Sequence, residues 1–121
     1  MGKHAYAESI YKDLKFLNLS EPENLEFLLN RFDYIKDEEL CAFNVHLAVR
    51  IMLERGQDGL TLFENLKNFK VIICDEIGAG VVPMDRFERR WRDETGLLYQ
   101  ALAREAAVVD RVWAGLAMRL K

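Results

Sequence analysis

Val71-Ile72-Ile73-Cys74-Asp75-Glu76, followed by Ile77-Gly78-Ala79-Gly80, reads as a β-strand over 71–75 ending in an acidic pair and a glycine-rich turn. A continuous apolar run rich in β-branched residues and bounded by polar ones fits a strand covered on both faces. In an open parallel sheet, ligands bind beyond the carboxyl ends of the strands, so Asp75, Glu76 and the turn lie at the address of a site. The plainer reading is a strand that ends in solvated acids. Gly78 and Gly80 either let a backbone approach a ligand closely or merely permit the turn.

Downstream, Val82 and Pro83 lead into a helix expected over 85–106, with Phe87, Trp91, Leu98 and Leu102 as its inward stripe. Arg89, Asp93, Gly96 and Gln100 fall at i, i+4, i+7 and i+11 and share a second face. Glycine inside a helix costs about 1 kcal/mol relative to alanine. At Gly96, amid polar side chains, it points to a backbone or ligand coming close; the alternative is a solvated face with one tolerated glycine. The segment 108–120 reads as two short strands broken near Gly115.

Upstream, a short helix is expected over 59–68, with Leu62, Phe63 and Leu66 inward. The segment 38–55 is apolar nearly all round, with Glu39, His46, Arg50 and Glu54 on one side at helical spacing, and predicts one mostly buried helix ending near Gly56. Ser20 and Glu23 have capping-box spacing around Pro22, so another helix runs from about Glu21 through Leu25, Leu28, Leu29 and Phe32. A short strand over 15–19 precedes it. Strands alternating with helices favour an α/β fold with a largely parallel sheet.

The 121 residues, half of them hydrophobic, suffice for one core and one domain over 1–121. With 17 Lys and Arg against 20 Asp and Glu, the charge balance does not suggest a nucleic-acid partner. No stretch approaches the length of a membrane span, and MGKHAYAESI lacks a signal-peptide pattern, so a cytoplasmic location is expected. Cys41 and Cys74 fit neither metal-ligand spacing nor a disulfide framework and read as small buried hydrophobes. A lone histidine such as His46, on an apolar helix pattern, reads as a hydrogen-bonded structural residue.

Four hydrophobic residues followed by Asp-Glu resemble the Walker B element of P-loop proteins, in which carboxylates hold Mg²⁺ or orient a reacting group on a phosphate. The run from Cys74 through Gly78, Gly80 and Pro83, then Arg92-Asp93, Gly96, Gln100 and Gly115 before a Leu-Lys terminus, carries a more specific likeness. Over 71–121 it resembles the C-terminal half of the adenosylcobinamide kinase/adenosylcobinamide-phosphate guanylyltransferase family. The resemblance implies a P-loop NTPase-like α/β fold, ATP or GTP as phosphoryl donor, a role in attaching the nucleotide loop of cobalamin, and a homo-oligomer.

Gly2-Lys3 followed by Ala5, Tyr6, Ala7 and Glu8 resembles the tail of that family's P-loop, with Lys3 in the place of the phosphate-binding lysine. The first strand and the earlier glycines of such a loop are absent, so weak affinity for ATP and GTP is expected. His4 stands where Ser or Thr would ligate Mg²⁺. The family's guanylyl transfer uses a covalent histidine, for which this sequence has no matching motif; His46 is not assigned that role.

The resemblance thus implies a phosphoryl, or nucleotidyl, transferase acting on a cobinamide-type corrinoid. Gly2, Lys3, Gly78 and Gly80 would face the nucleotide, Asp75 and Glu76 would hold Mg²⁺ (Asp75 first) or position the acceptor hydroxyl, and Arg89, Arg92, Asp93, Gly96 and Gln100 would shape the corrinoid side. The competing reading is a non-catalytic corrinoid- or partner-binding remnant of the family. In a third, the coding start is misplaced and the strand and glycine run lie upstream. Self-association is expected from an exposed sheet edge.

Overall fold

The computed structural model describes residues 2–11, 13–30, 39–77, 85–113 and 116–121. In chain order these form α1 (Lys3–Ile10), β1 (Lys15–Asn18), α2 (Pro22–Asn30), β2 (Leu40–Phe43), α3 (Val45–Glu54), a 3₁₀ turn (Gly59–Leu62), α4 (Phe63–Leu66), β3 (Val71–Ile72), α5 (Arg86–Glu105), β4 (Asp110–Trp113) and β5 (Leu116–Arg119).

β1, β2 and β3 pair in that order, all parallel. Leu17 lies opposite Ala42, and Ala42 opposite Ile72. The strand expected over 71–75 is shorter, Val71–Ile72, because only these two residues pair with β2; just beyond it the Ile73 N–H still donates to the Ala42 carbonyl at 2.8 Å.

Alternate residues of each strand enter different cores. Leu17, Leu40, Ala42 and Ile72 face the large cluster formed with α2, α3, α4 and α5. Phe16, Cys41, Phe43, Val71 and Ile73 face the other side, where α1 contributes Ala7. The sheet is therefore covered on both faces, as the apolar run over 71–74 implied, and the architecture is that of the P-loop NTPase-like α/β class.

The single helix expected over 38–55 is corrected. Residues 40–43 are the central strand β2, and the helix begins only at Val45. Leu40, Cys41 and Ala42 are all buried because both faces of a central strand are covered, so their pattern matches that of a buried helix. The break falls at Asn44, whose φ of 58° is left-handed, with no glycine or proline to mark it.

The expected helix over 59–68 is a 3₁₀ turn running into one turn of α-helix. The start of α2 also shifts by one residue. The Glu21 carbonyl accepts from the N–H groups of Asn24 and Leu25, so Glu21 caps the helix and Pro22 occupies its first position. The Ser20 hydroxyl instead donates to Asn18 Oδ1 at 2.7 Å. Phe32 lies outside the described residues.

α5 follows expectation closely. Asp85 is its N-cap and accepts from the Glu88 N–H at 2.8 Å, an arrangement worth about 1 kcal/mol. Leu98 and Leu102 are buried, and Phe87 and Trp91 pack against the large core. β4 and β5 form a separate antiparallel hairpin rather than extending the parallel sheet.

Candidate active site at the end of β3

Three contacts fix α5 against α3 and the segment after β3 and so build one wall of the site. The Trp91 indole donates to the His46 carbonyl at 2.7 Å. Arg50 reaches from α3 to Glu88 at 2.6 Å while its guanidinium lies 5.0 Å from the ring centres of Phe87 and Trp91. Nearest the site, the Tyr99 hydroxyl donates to the Asp75 carbonyl at 2.8 Å. Burial pushes the Tyr99 phenol well above its ordinary pKa, so it remains a proton donor to that carbonyl.

On the opposite side α1 brings Lys3 to the strand end. Its ammonium donates to Asp75 Oδ1 at 3.3 Å. The two side chains are 27% and 45% exposed, so the pair contributes on the order of 0 to 1 kcal/mol to stability. Gly2 caps α1 with a left-handed φ of 89°, a conformation glycine adopts without penalty, and its carbonyl accepts from the Tyr6 N–H at 2.8 Å.

Between the strand end and α5 lies an open cavity of about 640 Å³, lined by Glu76, Ile77, Arg89, Arg92, Asp93, Thr95, Gly96 and Tyr99. Five of the residues singled out from sequence, Glu76, Arg89, Arg92, Asp93 and Gly96, meet here. Gln100 is exposed and off the described lining. Gly78 and Gly80 lie outside the described residues.

A Cβ built on Gly96 meets nothing within 4 Å among the described residues, so the glycine faces open cavity rather than a packed backbone. Thr95 and Tyr99 were not singled out from the sequence. They follow Trp91 at successive i+4 steps, along the seam between the apolar stripe and the polar face, which was the signal available for them. The Thr95 side chain is fully buried and its hydroxyl has no hydrogen-bond partner among the described residues.

Asp75 is suited to Mg²⁺ as a single hard oxygen ligand, since this ion is commonly held by one or two carboxylates together with substrate phosphates and water. No group of three or more acidic, cysteine or histidine side chains forms a closed metal cage among the described residues. The cysteines do not enter the chemistry. Burial pushes both the Cys41 and Cys74 thiols up to about 12, which keeps them protonated and unreactive. His46 differs from the sequence reading in one respect, since its Nδ1 is buried without a hydrogen-bond partner among the described residues. No described helix is long and apolar enough to cross a membrane.

Residues 32–120 match the model of the family described as cobinamide kinase / cobinamide phosphate guanyltransferase. The chain is also similar to the bifunctional adenosylcobalamin biosynthesis protein CobP of Pseudomonas aeruginosa, at 43% identity over 51 residues. That alignment covers 42% of this chain and 30% of the relative's length. With the family model matching most of its length, across the central strand, the acidic strand end and the cavity helix, the chain belongs to the cobinamide kinase / cobinamide phosphate guanyltransferase family.

Proposed function

We propose that the chain takes part in nucleotide-dependent phosphoryl transfer to a cobinamide-type corrinoid during assembly of the cobalamin nucleotide loop, with ATP or GTP as donor. The observation that carries this reading is the meeting of Lys3 with Asp75, 3.3 Å apart just after β3, with the next residue, Glu76, on the cavity wall. An ammonium and a carboxylate at one strand end are the two elementary requirements for handling a triphosphate, one to neutralise phosphate charge and one to hold its cation.

In this mechanism an acceptor hydroxyl oxygen forms a bond to the γ-phosphorus as the bond from that phosphorus to the bridging oxygen breaks. The nucleoside diphosphate leaves, and the hydroxyl proton passes to a carboxylate, for which Glu76 lies on the cavity wall. Mg²⁺, when bound through Asp75, supplies neutralisation of the developing phosphate charge. Lys3 exchanges its contact with Asp75 for one with phosphate, at little cost because the ion pair is half-exposed. The Gly2 turn borders the nucleotide, the role that the family resemblance also gives to Gly78 and Gly80. Arg89, Arg92, Asp93 and Gly96 shape the acceptor side, with Gln100 at its margin. Leu116 and Met118, exposed along β5, and Leu120 just after it support self-association, which sedimentation checks.

The decisive experiment follows label from [γ-³²P]ATP or GTP to cobinamide with the wild-type protein, Lys3→Met and Asp75→Asn. Transfer that falls at least a hundredfold in both variants, with their melting temperatures retained, supports the reading. Corrinoid binding without any transfer by the wild-type protein favours the non-catalytic alternative.

A further inference from the structure

We infer that Asp110 is a positioning residue for Lys3, acting through Tyr6, and that the β4–β5 hairpin is a strap between the two helices that flank the site. Little else holds α1. It has eight residues and buries only Ala7, and a helix of two turns is marginal in water without tertiary contacts. His4 adds ring contacts to Phe16 and Phe43, with centres 5.0 and 4.7 Å away. Apolar contacts set how closely α1 lies on the sheet, but being non-directional they set its rotation weakly. A hydrogen bond of defined direction sets it.

The bond that does so joins residues 104 positions apart in the chain. The Tyr6 hydroxyl donates to Asp110 Oδ2 at 2.6 Å, and Arg119 Nε donates to Oδ1 of the same carboxylate at 2.6 Å. Both carboxylate oxygens are engaged, and the Asp110 side chain is 11% exposed. Tyr6 and Arg119 hold the Asp110 carboxyl below the usual carboxylate range, so the acceptor stays ionised at neutral pH. A phenol bonded to an ionised carboxylate makes a stronger tie than a neutral pair. Tyr6 is three residues from Lys3 and on the same side of the helix, so any rotation of α1 moves both together.

The hairpin is anchored on α5 as well. Lys121, two residues beyond β5, donates from Nζ to the carbonyls of Ala103 and Arg104 at 3.0 and 2.9 Å, in the last turn of α5. The hairpin segment therefore bridges the helix that walls the cavity and the helix that carries Lys3. This deepens the transfer reading and rests on it only for what Lys3 meets, a nucleoside triphosphate.

The test follows the Lys3 side chain by its ¹³Cε NMR signal, with MgATP as probe, in the wild-type protein, Tyr6→Phe and Asp110→Asn. Asn65→Ala is the control for a purely structural loss, since it removes a buried hydrogen bond to the Leu28 carbonyl, between elements packed on the opposite face of the sheet. In wild type and Asn65→Ala, adding Asp75→Asn should shift the Lys3 signal, because the ammonium contacts that carboxylate. In Tyr6→Phe and Asp110→Asn that response should largely vanish, and the Kd for MgATP read from the same signal should rise roughly five- to tenfold. Asn65→Ala should leave the Kd within about twofold. If the response is lost in Tyr6→Phe while no protein, wild type included, binds MgATP, the strap stands and the transfer reading fails. An undiminished response in Tyr6→Phe overturns the inference, as does no response in wild type. Where wild type binds MgATP, a Kd unchanged by Tyr6→Phe, or raised equally by Asn65→Ala, also overturns it.

Discussion

Tyr99 and Asp75 are joined by a hydrogen bond from the phenol to the backbone carbonyl, 2.8 Å long, which ties the middle of α5 to the residue that also meets Lys3. The bond links the α5 wall of the cavity to the Lys3–Asp75 pair. Tyr99→Phe should cost about 1 to 2 kcal/mol of stability, measured by denaturant unfolding, because the Asp75 carbonyl loses its donor. Transfer should fall with it, while the ring keeps its packing. Full activity in a Tyr99→Phe protein of lowered stability would show that the positioning of Asp75 does not depend on this tie.

Glu76 separates chemistry from architecture. It is exposed and shares the cavity wall with Arg89 and Arg92. Glu76→Gln is isosteric, so its melting temperature should move by less than the equivalent of about 1 kcal/mol while transfer is lost. A structural role would show the reverse order, a loss of about 1 to 3 kcal/mol with activity following unfolding. Melting and turnover measured on one preparation decide between the two.

Gly96→Ala should produce effects of opposite sign. Alanine favours helix by up to about 1 kcal/mol, and its Cβ has open space, so thermal stability rises. The same methyl occupies the cavity wall, so affinity for cobinamide falls. Unchanged affinity would restore the plainer view of a tolerated glycine on a solvated face.

Gly59 presents the contrasting case. A Cβ there would lie 2.9 Å from Val49 Cγ1 in the fully buried core, and the Gly59 N–H donates to Glu94 Oε1 at 2.6 Å. Gly59→Ala should destabilise by roughly 1 to 3 kcal/mol, because a buried β-branched neighbour has little freedom to yield. Chemical denaturation of the pair Gly59→Ala and Gly96→Ala tests the contrast within one protein.

Stability should weaken on mild acidification through His46. Burial holds its pKa below the ordinary value, and the nearby Asp75 charge offsets this only in part. The unfolded chain, with a histidine near pH 6.5, therefore binds the proton first. The contribution is complete above about pH 6.5 and is lost as the pH falls through the lower folded-state value. A His46→Gln variant should show a flatter dependence of melting temperature on pH below about 6.5, and an unchanged slope would assign the acid sensitivity to other groups.

Local pattern alone was enough for the existence of a strand at Val71–Ile72, though not for its expected extension to Asp75, and for α5 with its Asp85 cap and inward leucines. These features depend on periodicity, propensity and capping, which neighbouring residues carry between them. β2 was not legible, since Leu40, Cys41 and Ala42 become a strand only because β1 and β3 flank them; without those partners, an apolar run buried on two faces cannot be told from a buried helix. The polar face of α5 was readable as a face, yet whether it met solvent or a cavity depended on where the end of β3 was held. Lys3 and Asp75 stand 72 residues apart, and no spacing rule connects them. Packing of α1 on one side of the sheet and α5 on the other decides that pairing.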